Sequence, residues 1–211
     1  MSILGRTGIS VAFAFAVALT VPAAARAAET ATSTFTSFDS AKCKHKAGAA
    51  EEDYGSWTCP GLGKIAVLLS AGDQRMTVTF GKSAAGDLAQ EQSFPAFNDV
   101  YKGKIEWRLE AAPDGKARPF ATILKWNVMT GSDVEKAKGP VEPSGRVLVV
   151  TRLGPGGVCQ VGYVDVGTNP DANELARKLA DEHARDFRCG KDKRIVLGKT
   201  DPDLAMPKDE D

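Results

Sequence analysis

Apolar and polar residues alternate with a two-residue period through most of this chain, and near the C-terminus the period lengthens to that of a helix. Lys64 to Ser70 is a short apolar run, and Arg75 to Phe80 places Met76, Val78 and Phe80 opposite Arg75, Thr77 and Thr79. With Ala71-Gly72-Asp73 between them, these two segments predict a β-hairpin. Lys104 to Glu110 sets Ile105, Trp107 and Leu109 against Glu106, Arg108 and Glu110. The charged side is expected to face water, with opposite charges paired across strands. After the turn signal Pro113-Asp114-Gly115, Phe120 to Val128 pairs back as a second hairpin. Neither of its faces is fully polar, which predicts a central strand. A third hairpin joins Val147-Leu148-Val149-Val150 to Val158–Val166 through Gly154-Pro155-Gly156-Gly157, with Gly162 marking a bulge or a close backbone approach.

The helical period then appears in Ala172, Leu175, Ala176, Leu179, His183 and Phe187. Asn169-Pro170 reads as its start, a capping side chain followed by proline at the first helical position, and Gly190 as its stop. Glu174 with Lys178, Arg177 with Asp181, and Asp181 with Arg185 place opposite charges four apart on the outer surface. The predicted class is α+β: an antiparallel sheet of about five to seven strands built from hairpins, with one main C-terminal helix packed on it. Between the hairpins, Phe94 and Phe97 are expected to tuck into the core. Ser132 and Glu135 suggest a capping box for one helical turn.

The periodic region defines one α+β domain over residues 43–198. Before it, Arg6, the apolar run Val11–Val21 and Ala25-Arg26-Ala27 have the order of charge, hydrophobic core and small-residue cleavage site found in secretory signals, assigning residues 1–27 to export. The apolar run is shorter than the ~20 residues a spanning helix needs, so no stable membrane anchor is expected after cleavage. Residues 28–42, rich in Thr, Ser and Ala, read as a flexible lead-in, and residues 199–211 as a disordered acidic tail. Lysine plus arginine equals aspartate plus glutamate at 27 each. That balance disfavours nucleic acid as a partner.

Cys43, Cys59, Cys159 and Cys189 are an even set in a chain read as exported, which points to two disulfides. A helix of about 17 residues spans ~25 Å, close to the length of the strand from Val166 back to Cys159. A helix folded back on its own strand therefore brings Cys189 beside Cys159, leaving Cys43 for Cys59. Zinc would favour C-x-x-C spacing with histidine partners. Cys43 and His45 alone make a weak metal site, and no cofactor is expected.

The chain carries no G-x-S-x-G elbow, S-x-x-K, H-E-x-x-H or Walker loop. His183 is the one histidine on a predicted ordered element. Its place on the apolar stripe favours packing, and its rival role is general base of an envelope hydrolase. Glu106 and Glu110, with Arg108 between, read as a charge ladder. Trp57, Trp107 and Trp126 offer a carbohydrate or peptide groove, against which core packing is the default.

Lys104-Ile105-Glu106-Trp107, Val147-Leu148-Val149-Val150, Cys159-Gln160-Val161-Gly162-Tyr163-Val164-Asp165 and Asn169-Pro170-Asp171-Ala172-Asn173 give the segment from Cys59 to Cys189 a likeness. It resembles a group of uncharacterised secreted proteins from alphaproteobacteria. The resemblance implies a periplasmic or secreted location and carries no activity, cofactor or catalytic residue. In architecture alone the chain is also similar to small periplasmic lysozyme inhibitors. Export, disulfides and the lack of a catalytic motif together predict a non-enzymatic binding module for an envelope protein or cell-wall component.

Overall fold

The computed structural model describes residues 31–49, 53–112, 114–139 and 141–209; the signal segment of residues 1–27 lies outside them. In chain order the elements are β1 (Thr32–Asp39), β2 (Lys44–Lys46), β3 (Asp53–Leu62), β4 (Ile65–Gly72), β5 (Arg75–Gly81), β6 (Asn98–Asp99), β7 (Lys102–Ala111), β8 (Ala117–Val128), α1 (Gly131–Glu135), β9 (Gly145–Arg152), β10 (Cys159–Asp165), α2 (Ala172–His183) and β11 (Ile195–Val196). One sheet runs β1-β7-β8-β9-β10-β11, with β6 added beside β8, and the other runs β2-β3-β4-β5. All strand pairs are antiparallel except β10 with β11.

Strand alternation gives the large sheet two apolar faces, and each has its own core. Ile105, Trp107, Leu124, Trp126, Val147 and Val149 meet Val67, Leu69, Met76, Val78 and Phe80 of the small sheet. On the opposite face Ile123, Leu148, Val150, Val161 and Val164 meet Ala172, Ala176, Leu179, Ala180 and Phe187. The molecule is thus three layers: small sheet, large sheet, helix. A large apolar side chain buried in either interface contributes about 2 kcal/mol. The four alanines Ala172, Ala176, Ala180 and Ala184 let the helix lie close to the sheet. The small sheet adds a layer that the predicted single sheet did not contain.

All three predicted hairpins form, as β4–β5, β7–β8 and β9–β10. The β8 strand is central, between β7 and β9. Gly162 meets both expectations: the β9–β10 register shifts between Gln160 and Gly162, and a Cβ on Gly162 would lie 2.1 Å from the Ile195 carbonyl oxygen. That contact is the parallel pairing of β11, which no side chain at this position would permit.

Both disulfides pair as expected, Cys159 with Cys189 and Cys43 with Cys59. The helix is shorter than the length used to match them, 12 residues, and a turn after His183 carries the chain the remaining distance. Asn169 does not cap it. Its Nδ2 donates to the backbone oxygens of Asp165 (2.8 Å) and Lys199 (2.7 Å), while its own carbonyl accepts from Ala172 N.

Further expectations are corrected. Segment 32–39, placed in the flexible lead-in, is the edge strand β1, paired along its length with β7. Its serines and threonines mate with polar groups of β7: Trp107 Nε1 donates to Thr36 Oγ1 (2.8 Å), and Ser33 Oγ donates to Glu106 Oε1 (2.5 Å). The charged face of β7 looks at α2, not at water. Arg177 pairs with Glu106 (2.7 Å), Arg108 with Asp181 (2.6 Å) and Arg185 with Glu110 (2.7 Å). The ion pairs of Arg177, Asp181 and Arg185 therefore run across the layer boundary instead of four residues along the helix.

The C-terminal segment, expected to be a disordered tail, crosses the molecule as a strap through residue 209. Lys199 N donates to Asn169 Oδ1 (2.9 Å), Asp201 N to Asp165 Oδ2 (2.9 Å) and Gly131 N to Asp203 O (3.1 Å); Leu204 is buried in the sandwich core. The strap's aspartates act as hydrogen-bond acceptors, which composition alone reads as charge repulsion. Finally, the one-turn helix α1 is capped by Thr130 and Asp133, not by Ser132 and Glu135. Burial would raise the Asp133 carboxyl, but hydrogen bonds from Ser144 and Thr130 outweigh it and lower its pKa to about 2.

Candidate functional site

One end of the sandwich gathers exposed apolar side chains. Among the described residues the large hydrophobics left exposed are Phe35, Tyr54, Phe97, Tyr101, Val134 and Val196, and Tyr54, Phe97, Tyr101 and Val134 line two adjoining clefts. The clefts measure about 200 Å³ and 410 Å³ and share Phe97 and Met129. Single exposed apolar residues are ordinary on a protein surface, whereas contiguous ones mark contact sites.

A buried asparagine builds this end. Asn98 Oδ1 accepts from Met76 N (3.1 Å), while its Nδ2 donates to Ser93 Oγ (3.0 Å) and Ala96 O (3.1 Å). Ser93 Oγ donates in turn to Met76 O (2.7 Å). These bonds fasten loop 93–98 to the edge of β5. Within the loop Phe94 turns inward onto Trp126 and Tyr163, at ring separations of 5.6 and 5.5 Å. Phe97 does not enter the core as expected but stands 38% exposed, because Asn98 takes the inward position beside it.

The adjacent wall is aromatic. Trp57 meets the edge of Tyr101 at 5.7 Å, and His45 stacks on Trp57 at 4.7 Å. His45 Nε2 lies 3.1 Å from the Tyr54 carbonyl oxygen. Tyr101 is thus braced from behind by two rings. Burial, followed by the nearby Asp99 carboxylate and Tyr54, pushes its hydroxyl pKa up. Asp99 is itself oriented by Asn127, whose Nδ2 donates to Oδ1 at 2.6 Å.

One side is closed by the β4–β5 turn. Asp73 and Gln74 have φ of 47° and 57°, the left-handed region in which glycine is the easy choice. Gln74 and Arg75 line the smaller cleft, and Gln74 O accepts from Asn98 N (3.2 Å). Turn and loop are therefore one hydrogen-bonded unit.

The residues singled out from sequence fall elsewhere. His183 is on the outer side of α2, its side chain 45% exposed, with the Glu182 carboxylate 4.0 Å away. Ala180, Ala184 and Phe187 occupy the stripe that it was expected to share. Trp107 and Trp126 are core residues and Trp57 is half-buried. Glu106 and Glu110 belong to the helix–sheet ladder. No group of three or more metal-ligating side chains occurs among the described residues, and no described helix is long and apolar enough to cross a membrane. Comparison with family models, curated proteins and solved structures gives no match.

Proposed function

We propose that this chain is a periplasmic or secreted, non-enzymatic binding module that meets an envelope protein or cell-wall component through the Tyr54–Phe97–Tyr101 end of the sandwich. One observation carries the reading: exposed aromatic and aliphatic side chains converge on two adjoining clefts, held by a buried hydrogen-bonded loop. Rigid aromatics supply contact area at low entropic cost, and prior fixing of a loop lowers the cost of binding. The hydrolase alternative receives no comparable support, since His183 lines neither cleft and its helix packs on the opposite face of the large sheet.

Immobilised protein is expected to retain a component of an envelope fraction. Tyr54→Ala/Phe97→Ser/Tyr101→Ala is expected to lose it, while Phe35→Ser, on the helix side of the sheet, keeps it. Equal retention by all three proteins would overturn the assignment of this end.

A further inference from the structure

We infer that the smaller cleft, between Tyr54, the Gln74–Arg75 turn and the Asp99–Tyr101 segment, binds one ring of a saccharide. The inference rests on the binding-module reading and narrows its partner to the carbohydrate of a cell-wall or envelope glycan.

Sugar recognition needs a flat apolar surface for the C–H face of the ring, and polar side chains at its edge that accept from and donate to neighbouring hydroxyls. Both kinds of group meet here. Tyr54 and Tyr101 are 47% and 40% exposed, and neither phenol hydroxyl has a protein hydrogen-bond partner among the described residues. Their rings are a surface to stack on, and their hydroxyls remain available. Asp99 brings a carboxylate whose direction is fixed by Asn127. Gln74 brings an amide to the same rim, and Arg75 a guanidinium whose direction is fixed by Asp73, at 2.5 Å.

Size and strain agree with this chemistry. The cleft, about 200 Å³, is below the ~300 Å³ at which pockets for drug-sized ligands begin, so it suits a single ring of a longer chain. Gln74 holds its side chain at the rim in a left-handed conformation that glycine would adopt without cost. Strain of this kind concentrates at functional sites. A purely apolar peptide anchor would leave the two phenol hydroxyls and the Gln74 amide without partners, and an anionic ligand would face Asp99, since Arg75 is already paired with Asp73 (2.5 Å).

The test is titration of the ¹⁵N-labelled protein with two soluble probes, a β-1,4-linked N-acetylglucosamine trimer and a β-1,4-linked glucose trimer. With at least one of them, saturable shifts are expected at the amides of Tyr54, Gln74, Arg75, Asp99 and Tyr101. Tyr101→Ala should weaken binding up to about tenfold, the scale of one lost aromatic contact, and Tyr101→Phe should weaken it less. Asp99→Asn should also weaken it. Tyr101 is exposed enough to be replaced without loss of fold, which circular dichroism checks. No shifts with either trimer, or shifts confined to other surfaces, would overturn the inference. If that happens while the triple variant still loses the envelope component, the saccharide assignment fails and the binding-module reading stands. If the triple variant keeps the component, the broader reading has failed.

Discussion

At the scale of single residues, the candidate site depends on positions that work against local preference. Gln74 adopts φ of 57° next to Asp73 at 47°, and a left-handed residue with a side chain costs ~1–2 kcal/mol relative to its ordinary conformation. Glycine would remove that cost but adds the entropy of a freer unfolded chain, ~0.5–1 kcal/mol. Gln74→Gly is therefore expected to stabilise the fold by about 0.5–1 kcal/mol in urea unfolding, while weakening saccharide binding. A variant that gains no stability would show the turn to be unstrained. Asn98 has the opposite character, a buried polar residue committed to the fold: its amide makes three bonds, to Met76, Ser93 and Ala96. Neither residue was legible in the sequence. Asp73-Gln74 lacks the glycine that announces a two-residue hairpin turn, and an asparagine three places after Phe94-Pro95 reads as loop whether it is buried or exposed.

At the scale of elements, period told which segments were strands but not what each face would meet. The Ile105, Trp107 and Leu109 alternation located β7 and its hairpin partner correctly. The opposite side, Glu106, Arg108 and Glu110, has the same pattern whether its neighbour is water or a helix bearing complementary charge. Arg177, Asp181 and Arg185 supply that charge at four-residue spacing, which is equally the spacing of pairs along a helix, so the two arrangements cannot be separated by spacing alone. β1 was hidden for a related reason: Ser33 matches the charged face of β7, while Thr34 and Thr36 stand on the Ile105–Trp107 side, where Thr36 accepts from Trp107, so the strand shows no hydrophobic period. The ladder has a measurable energetic consequence. Arg108 is only 7% exposed in its side chain and pairs with Asp181 at 33%, and removing one partner of a buried pair costs ~3–5 kcal/mol because the other charge is left uncompensated. Since Asp181 can partly rehydrate, Arg108→Met is expected near the lower end, about 3 kcal/mol, and Asp181→Asn, which leaves the buried Arg108 with Glu106 at 3.6 Å as its remaining anion, at a comparable cost of about 3 kcal/mol. A double-mutant cycle should return a coupling of about 1 kcal/mol or more. Coupling near zero would mean that the apolar stripe alone seats the helix.

At the scale of the whole molecule, the C-terminal strap joins parts that the strand pairings do not. It starts at the β10–α2 corner, where Lys199 and Asp201 bond to Asn169 and Asp165. It passes α1 through Asp203, buries Leu204 in the sandwich core and returns to Arg194, which Asp209 pairs at 2.5 Å. Arg194 Nη1 donates to the hydroxyl of Tyr163 (2.8 Å), which donates to Gln160 Oε1 (2.6 Å), so the strap also closes a buried polar chain. Asp201, Pro202, Asp203 and Lys208 of the content that suggested disorder are exposed, and the inward positions, Leu204, Met206 and Pro207, are too few to register as a pattern. Because Asp203 also accepts from Gly131 and Ser132 at the foot of the larger cleft, the strap links global stability to the proposed binding end. Leu204→Ala should cost about 2–3 kcal/mol, as for a buried leucine next to a surface that can relax. Deleting residues 200–211 should cost more, because Arg194 and Asp165 then lose partners as well. Urea midpoints give the stability ranking, and amide exchange locates the effect: faster exchange is expected at Gly131 and at the β10–α2 corner, with the β4–β5 hairpin unchanged. A truncated chain as stable as the full one would demote the strap to a passive covering, and the link between its seating and the cleft at Phe97 would have to be abandoned.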